Sequence, residues 1–425
     1  MPLVAPDFIS PRLASPVAVF GSGVTGHGAA VLLSKLGARM TLYDREGLEF
    51  TDAAAAGHRL VIFSPGFSLH HPWLEKARKA GCICLPELDF AWLFWRGRLV
   101  AVTGTNGKTT LTEFLVHALS SVGAPAVAAG NIGVTLAQVA ALGDGGTADT
   151  TAVCEISSFQ AEQLGHLRAD ALLWTNFAED HLERHGGMDA YFEAKWQLVG
   201  RTPPASVFVG TSVARFAAAL GRPLPKAACV ETLGQAADPS LDGTVFGFYP
   251  QLENFVLAAA WWSSSGRDLK ALKAAARTFK LGRHRLTRVA TLDGVTYWND
   301  SKATNFHAVE AAVARFDRPV VLIAGGRSKG GDIEGFVRRL APKVAHAVLI
   351  GETGPAMGAA CDLFKVPHTH AGGIEEAVRI AAAHAGYEGN VLLSPGFSSF
   401  DMFRNYQDRG ERFEHVVAEM QTARV

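Results

Sequence analysis

Short runs of aliphatic and β-branched residues recur along the chain, each closing on glycine, serine or asparagine and most followed by a helical pattern. Residues 16–20 read as a strand leading into Gly21-Ser-Gly-Val-Thr-Gly26. A helical stretch then reaches about Leu36, Gly37 supplies a C-cap, and 40–44 is the next strand. Runs at 59–63, 81–85, 99–103, 151–155, 171–176, 319–324, 345–350 and 390–394 read as further strands. Behind 99–103, apolar residues at 111, 114, 115, 118 and 119 keep the spacing of one buried helix face. Strand, turn and helix repeating in this way predict parallel sheets covered by helices. The chain is read as three α/β modules in series, 1–97, 98–281 and 282–425, each built on a mainly parallel, doubly wound sheet. The basic stretch 280–285 is the expected hinge, and 235–250 reads as turn-rich.

Length supports several domains, because 425 residues exceed the ~250–300 at which one core stops growing. Hydrophobic residues at 48% and charged residues at 19% exclude wholesale disorder. Forty cationic residues balance forty acidic ones, which leaves no footprint for coating nucleic acid or an anionic membrane. The densest apolar run, 255–262, is eight long, against the ~18–20 residues that span a bilayer. Residues 1–7 lack a signal-peptide pattern, so a cytoplasmic enzyme without membrane insertion is expected. Five cysteines, at 82, 84, 154, 229 and 361, are too few and scattered for a disulfide framework. Cys82 and Cys84 are expected on opposite faces of their short strand, without a shared role.

Two glycine turns carry the first chemistry. Gly21-x-Gly23-x-x-Gly26 follows a strand and opens a helix, and Asp44 stands at the tip of the next strand. Backbone N–H groups there suit a pyrophosphate and the acid suits a ribose hydroxyl. The motif leaves the ligand open, a nicotinamide cofactor being the naive guess. The second turn, Gly104-Thr105-Asn106-Gly107-Lys108-Thr109-Thr110, is a phosphate cradle: backbone donors, Lys108 for negative charge and Thr109 for Mg²⁺. Its preceding glycine position is Val102, outside the strict P-loop pattern. Glu155 at one strand end and Glu179-Asp180-His181 after the next offer ligands for Mg²⁺. Lys195, by spacing alone, is a surface helix lysine. Residues 298–305, 325–331 and 394–401 are dense in amide, carboxylate, hydroxyl and ammonium groups and read as ligand loops.

Residues 103–110, Gly130-Asn131-Ile132-Gly133, Glu155-x-Ser157-Ser158-Phe159-Gln160, Asp180-His181 and 299–305 together resemble the Mur ligases of peptidoglycan synthesis, over essentially the whole chain. The nearest branch is the one that adds D-glutamate to UDP-N-acetylmuramoyl-L-alanine. The resemblance implies a Rossmann-like N-terminal domain for the UDP of the substrate, a P-loop ATPase-like centre, and a Rossmann-like C-terminal domain that brings the amino acid. It reassigns the first turn to a uridine nucleotide, lined by Gly23, Thr25, Asp44, Arg45, Ser64 and Gly66. Asn131, Ser157, Gln160 and His181 would contact the muramoyl part. ATP would be held by Gly104 to Thr110 with Asn254, Arg285 and Asp300, and glutamate by Lys302, Thr304, Lys329, Ser399, Phe400 and Tyr406. Two Mg²⁺ ions are implied, at Thr109, Glu155, His181 and a carbamate formed on Lys195. Lys108, Glu155, His181, Lys195 and Lys302 would be the catalytic set, in a monomer. The implied reaction runs through an acyl phosphate, with His181 or a nearby carboxylate taking the amine proton. Alternatives are a related ligase adding L-glutamate or another amino acid, or a non-catalytic nucleotide-binding sensor.

Two stretches depart from the family pattern. Near Asn254 the family's His and first Asn are Pro250 and Gln251, which touches the adenine contacts. The last loop reads Ser394-Pro-Gly396-Phe397-Ser-Ser399, so Phe397 places bulk beside the expected glutamate pocket.

Overall fold

The computed structural model describes residues 3–235 and 238–422. The first two residues of the N-terminal stretch and residues 236–237 of the turn-rich region therefore lie outside the described residues. Three sheets are present among the described residues. The first contains β1 (Val17–Phe20), β2 (Met40–Tyr43), β3 (Leu60–Phe63) and β4 (Ile83–Pro86) in the order β2-β1-β3-β4, all parallel. The second contains β5 (Arg98–Thr103), β6 (Ala126–Gly130), β7 (Thr151–Glu155), β8 (Ala171–Trp174) and β9 (Val207–Val209) in the order β6-β7-β5-β8-β9, again all parallel. The third contains β10 (Thr287–Leu292), β11 (Val295–Asn299), β12 (Val320–Gly325), β13 (Val344–Ile350), β14 (His368–His370) and β15 (Asn390–Leu393). Its order is β10-β11-β15-β12-β13-β14, and only the β10–β11 hairpin is antiparallel. This is the mainly parallel α/β class that the pattern predicts.

Strands covered on both faces carry unbroken apolar runs, as in Val17-Ala-Val-Phe20, all fully buried. The third sheet shows the two faces directly. Leu322, Ala324, Leu349 and Leu392 join the cluster with Phe306 and Phe336 on one side. Val321, Ile323, Val348 and Val391 join Ile374, Ala377 and Phe413 on the other. The helix Lys108–Ser121 buries Leu111, Phe114, Leu115, Ala118 and Leu119, the positions its periodicity selects. Cys82 and Cys84 do not face opposite ways: both pack on the aromatic cluster of Phe20, Phe50, Phe63 and Trp73. Residues two apart in an extended chain share a face, which is the physical reason the opposite-face expectation fails.

Contacts divide the chain into two compact units. The first comprises Met1–Phe177 and Asp189–Phe279 and carries the first two sheets. The second comprises Ala178–Met188 and Lys280–Val425 and carries the third. Among the described residues no helix is long and apolar enough to cross a membrane.

Candidate active site

In the first unit, β5 ends at Thr103 and the chain turns through Gly104 (φ +145°) and Gly107 (φ +82°) into the helix Lys108–Ser121. Both glycines are required by conformation and by space. A Cβ on Gly104 would overlap Thr175 Oγ1, and one on Gly107 would lie 2.5 Å from Asn254 Oδ1. The residues that follow β8 lock the loop. The Asn106 N–H donates to Asn176 Oδ1 (2.9 Å), the Thr105 N–H to Asn176 O (3.0 Å), and the Thr175 hydroxyl to Asn106 O (2.6 Å). Lys108 Nζ folds back onto Gly104 O (3.0 Å) and Thr105 O (2.8 Å).

Three strand ends converge beside this loop. The Thr109 hydroxyl donates to Glu155 Oε2 (2.7 Å) and Asn131 Nδ2 donates to Glu155 Oε1 (3.0 Å), while Glu155 is only 3% exposed. Lys195 is 1% exposed, so its reading as a surface lysine is overturned. Its Nζ donates to Gly104 O (3.0 Å) and Thr103 Oγ1 (3.3 Å), with the Tyr191 ring centroid 5.0 Å away. Tyr191 and Lys195 are one helical turn apart and share the buried face. Thr110 is buried within its helix. Ser157 and Gln160 bond each other reciprocally, backbone to side chain, as a capping box. Asn254, buried against the loop, receives no partner from Pro250 but bonds Gln251 Oε1 (2.8 Å).

The first glycine turn gathers its own set. Gly21 (φ +98°) packs on the Ser64 hydroxyl side, and a Cβ on Gly26 would overlap Gly21 O, so the turn and helix close tightly. Gly23 caps the helix Val24–Lys35, which contains Thr25, and faces open space. The Ser22 N–H donates to Asp44 Oδ2 (2.6 Å), and the Ser22 hydroxyl and amide together hold this carboxyl below the usual range. Arg45 and Gly66 are exposed at the same strand ends.

In the second unit, Lys329 Nζ pairs with Asp180 Oδ1 (3.3 Å), and Asn305 Nδ2 donates to Asp180 Oδ2 (3.3 Å). His181 Nε2 lies 3.6 Å from the same carboxylate, on backbone at φ +53°. Asp180, Thr304, Asn305, Lys329, Gly396 and Phe397 line one small cavity. Phe397 is not simply bulk in that space: it is buried and packs edge-on against Phe306 at 5.2 Å. Lys302 Nζ stands 4.1 Å from the Tyr406 ring centroid, a cation–π contact. Ser399 is buried, whereas Phe400 is 67% exposed, and neither lines the cavity. Asp300 spends both oxygens internally, on the Leu286 N–H (3.0 Å) and the Ser394 hydroxyl (2.8 Å). Burial pushes it up to about 7, against those bonds and the charges of Arg285 and Arg409.

Sequence reasoning missed the residues that brace these loops. Arg409, fully buried, donates to Ser301 Oγ (3.0 Å), Ser301 O (2.9 Å) and Phe397 O (3.3 Å). Burial holds its guanidinium down to about 10. Thr175 and Asn176 read from sequence only as the end of the strand at 171–176, since their role depends on β8 lying beside β5.

The donor set suits Mg²⁺. The Thr109 hydroxyl and Glu155 carboxylate are hard oxygens beside the glycine loop, and Mg²⁺ is usually held by one or two carboxylates plus substrate phosphates. No group of three or more His, Cys, Asp or Glu placed for a metal occurs among the described residues.

The chain matches the Mur ligase middle domain over residues 102–238 and the Mur ligase glutamate ligase domain over 284–397. It is similar to a UDP-N-acetylmuramoylalanine–D-glutamate ligase of Desulfitobacterium hafniense, 32% identical over 94% of this chain and 97% of the relative. A protein of the same name from Frankia casuarinae is 36% identical over 95% and 93%. Among solved structures, a MurF ligase from Thermotoga maritima in complex with ADP shares the fold, with a TM-score of 0.58 at 14% identity over 86% of this chain and 99% of that one. With relatives above 30% identity spanning nearly its whole length, and both domain signatures in place, the chain belongs to the Mur ligase family.

Proposed function

We propose that the chain joins D-glutamate to UDP-N-acetylmuramoyl-L-alanine at the expense of ATP, in cytoplasmic peptidoglycan precursor synthesis. The observation that carries this reading is the convergence of Lys108, Thr109 and Glu155 at one glycine loop. Its specific substrates rest on the relatives that bear the name of this reaction.

The loop N–H groups and Lys108 would take the ATP phosphates, Lys108 exchanging its two carbonyl partners for phosphate oxygens. Mg²⁺ bound at Thr109 and Glu155 would neutralise phosphate charge. The L-alanyl carboxylate attacks the γ-phosphorus, releasing ADP and forming an acyl phosphate. The glutamate amine then adds to that carbonyl, loses a proton, and phosphate departs as the amide forms. Lys302 and Lys329 supply cations for the glutamate carboxylates, and Gly23, Asp44 and Ser64 a site for the uridine nucleotide.

Lys195 is the second part of the proposal. Its buried amine lies against Gly104 O, beside the loop; as a carbamate it would become an anionic oxygen donor there. Incubation with ¹³C-bicarbonate should give a carbamate carbon resonance that Lys195→Ala lacks. The function itself is tested by mass spectrometry of the product: a glutamyl adduct should form only when ATP, the UDP-substrate and D-glutamate are all present. Adduct formation with L-glutamate alone would move the specificity, and no adduct with either, despite binding of ATP and UDP-substrate, would favour the sensor.

A further inference from the structure

At the end of the second sheet opposite the phosphate loop, Arg98 opens β5, Asp170 precedes β8, and Arg267 follows the helix Gln251–Ser264. With Ser206, Trp261 and Ser264 they line a cavity of about 260 Å³. The Arg267 guanidinium lies over the Trp261 and Trp262 rings, 5.4 and 5.3 Å from their centroids, which fixes its direction. Asp170 is tied to the backbone, its Oδ2 accepting the Leu99 N–H (2.7 Å), and it forms no ion pair with Arg98 or Arg267 among the described residues, so its one negative charge offsets only part of theirs. Burial, and then the charge of Arg98, hold Arg267 below the ordinary guanidinium range. Two arginines thus share one cavity with Ser206, Ser264 and a single carboxylate, Asp170, against a tryptophan wall, which leaves the lining with an excess of positive charge. Guanidinium forks match phosphate oxygens. The volume is below the ~300–1,000 Å³ of drug-sized sites, and so favours a small ligand over a nucleotide.

We propose that this cavity is a second anion site, built for a small phosphate monoester and distinct from the nucleotide loop. The strands that line it run on into the catalytic loop: β5 into Gly104, and β8 into Thr175 and Asn176. The site therefore stands at the far end of the elements that hold the ATP phosphates.

The test is calorimetric titration of the full chain with inorganic phosphate while a non-hydrolysable ATP analogue saturates the loop. One saturable phosphate site should remain. Arg98→Gln and Ser264→Glu should each weaken it by about tenfold or more, as charge-assisted contacts are lost or opposed. Affinity for the ATP analogue should stay at the wild-type value in both. Ser264→Glu changes an exposed position and leaves both arginines in place, so it decides the matter even where the arginine variant folds poorly. Absence of saturable phosphate binding with the loop filled, or unchanged affinity in Ser264→Glu, would overturn the proposal.

Discussion

Gly107→Ala most sharply probes the loop proposed to hold the nucleotide. Gly107 holds φ +82°, where an L residue costs about 1–2 kcal/mol. Its new Cβ would lie 2.5 Å from Asn254 Oδ1 and 2.8 Å from Nδ2, so Asn254 must turn aside. That breaks its 2.8 Å hydrogen bond to Gln251, worth about 1 kcal/mol. The expected loss is about 2–3 kcal/mol, a large share of the ~5–15 kcal/mol that holds a typical domain. Urea unfolding followed by tryptophan fluorescence, with titration of an ATP analogue, would read both stability and loop geometry. The pair also predicts coupling. Asn254→Ala removes the obstacle, so the double variant should cost about 1 kcal/mol less than the two single costs added. A Gly107→Ala chain that is as stable as wild type and binds nucleotide normally would refute the reasoning, as would strict additivity.

Three further outcomes follow from the same geometry. Burial pushes Glu87 from 4.5 up to about 7, opposed by bonds from the Ala137 N–H and the Thr135 hydroxyl. The folded chain therefore keeps a proton that the unfolded chain releases, and this contribution is full below the lower value and lost as pH rises through the upper one. Glu87→Gln should flatten that part of the stability-against-pH curve; an unchanged slope would exclude Glu87 as its source. Arg409→Met strands the Ser301 and Phe397 carbonyls and, at about 1–3 kcal/mol for each buried acceptor left unsatisfied, should destabilise the second unit by about 2–5 kcal/mol in urea unfolding, a loss under about 1 kcal/mol being incompatible with its buried role. Glu155→Gln keeps the shape beside Thr109 but removes the charge, so half-maximal activity should need about 10–100-fold more Mg²⁺, and an unchanged Mg²⁺ requirement would argue against Glu155 as a ligand.

Where local physics dominates, the chain is legible before it is folded. Doubly covered strands such as β1, β5 and β12 announce themselves because burial on both faces demands continuous apolar runs. β6 does not, since Ala126-Val-Ala-Ala-Gly130 has little strand preference and is held by β7 beside it. Three-residue strands such as β9 and β14 are too short to carry a period. The glycine loops, Glu155 and the 299–305 run are likewise local signals. Lys195 is not: its burial depends on Gly104 and Thr103, far away in sequence, and only family resemblance singled it out. Asn176 and Arg409 act through partners as distant as Asn106 and Ser301, so their roles emerge only with the topology. Phe397 reads from sequence as pocket bulk and is instead largely core, because Gly396 turns it toward Phe306.

Activation of the alanyl carboxylate by ATP is tested most directly by isotope transfer. UDP-N-acetylmuramoyl-L-alanine labelled with ¹⁸O in its carboxylate, reacted with ATP and D-glutamate, should release phosphate carrying one ¹⁸O atom for each amide formed. Amide formation with unlabelled phosphate would contradict the acyl-phosphate route.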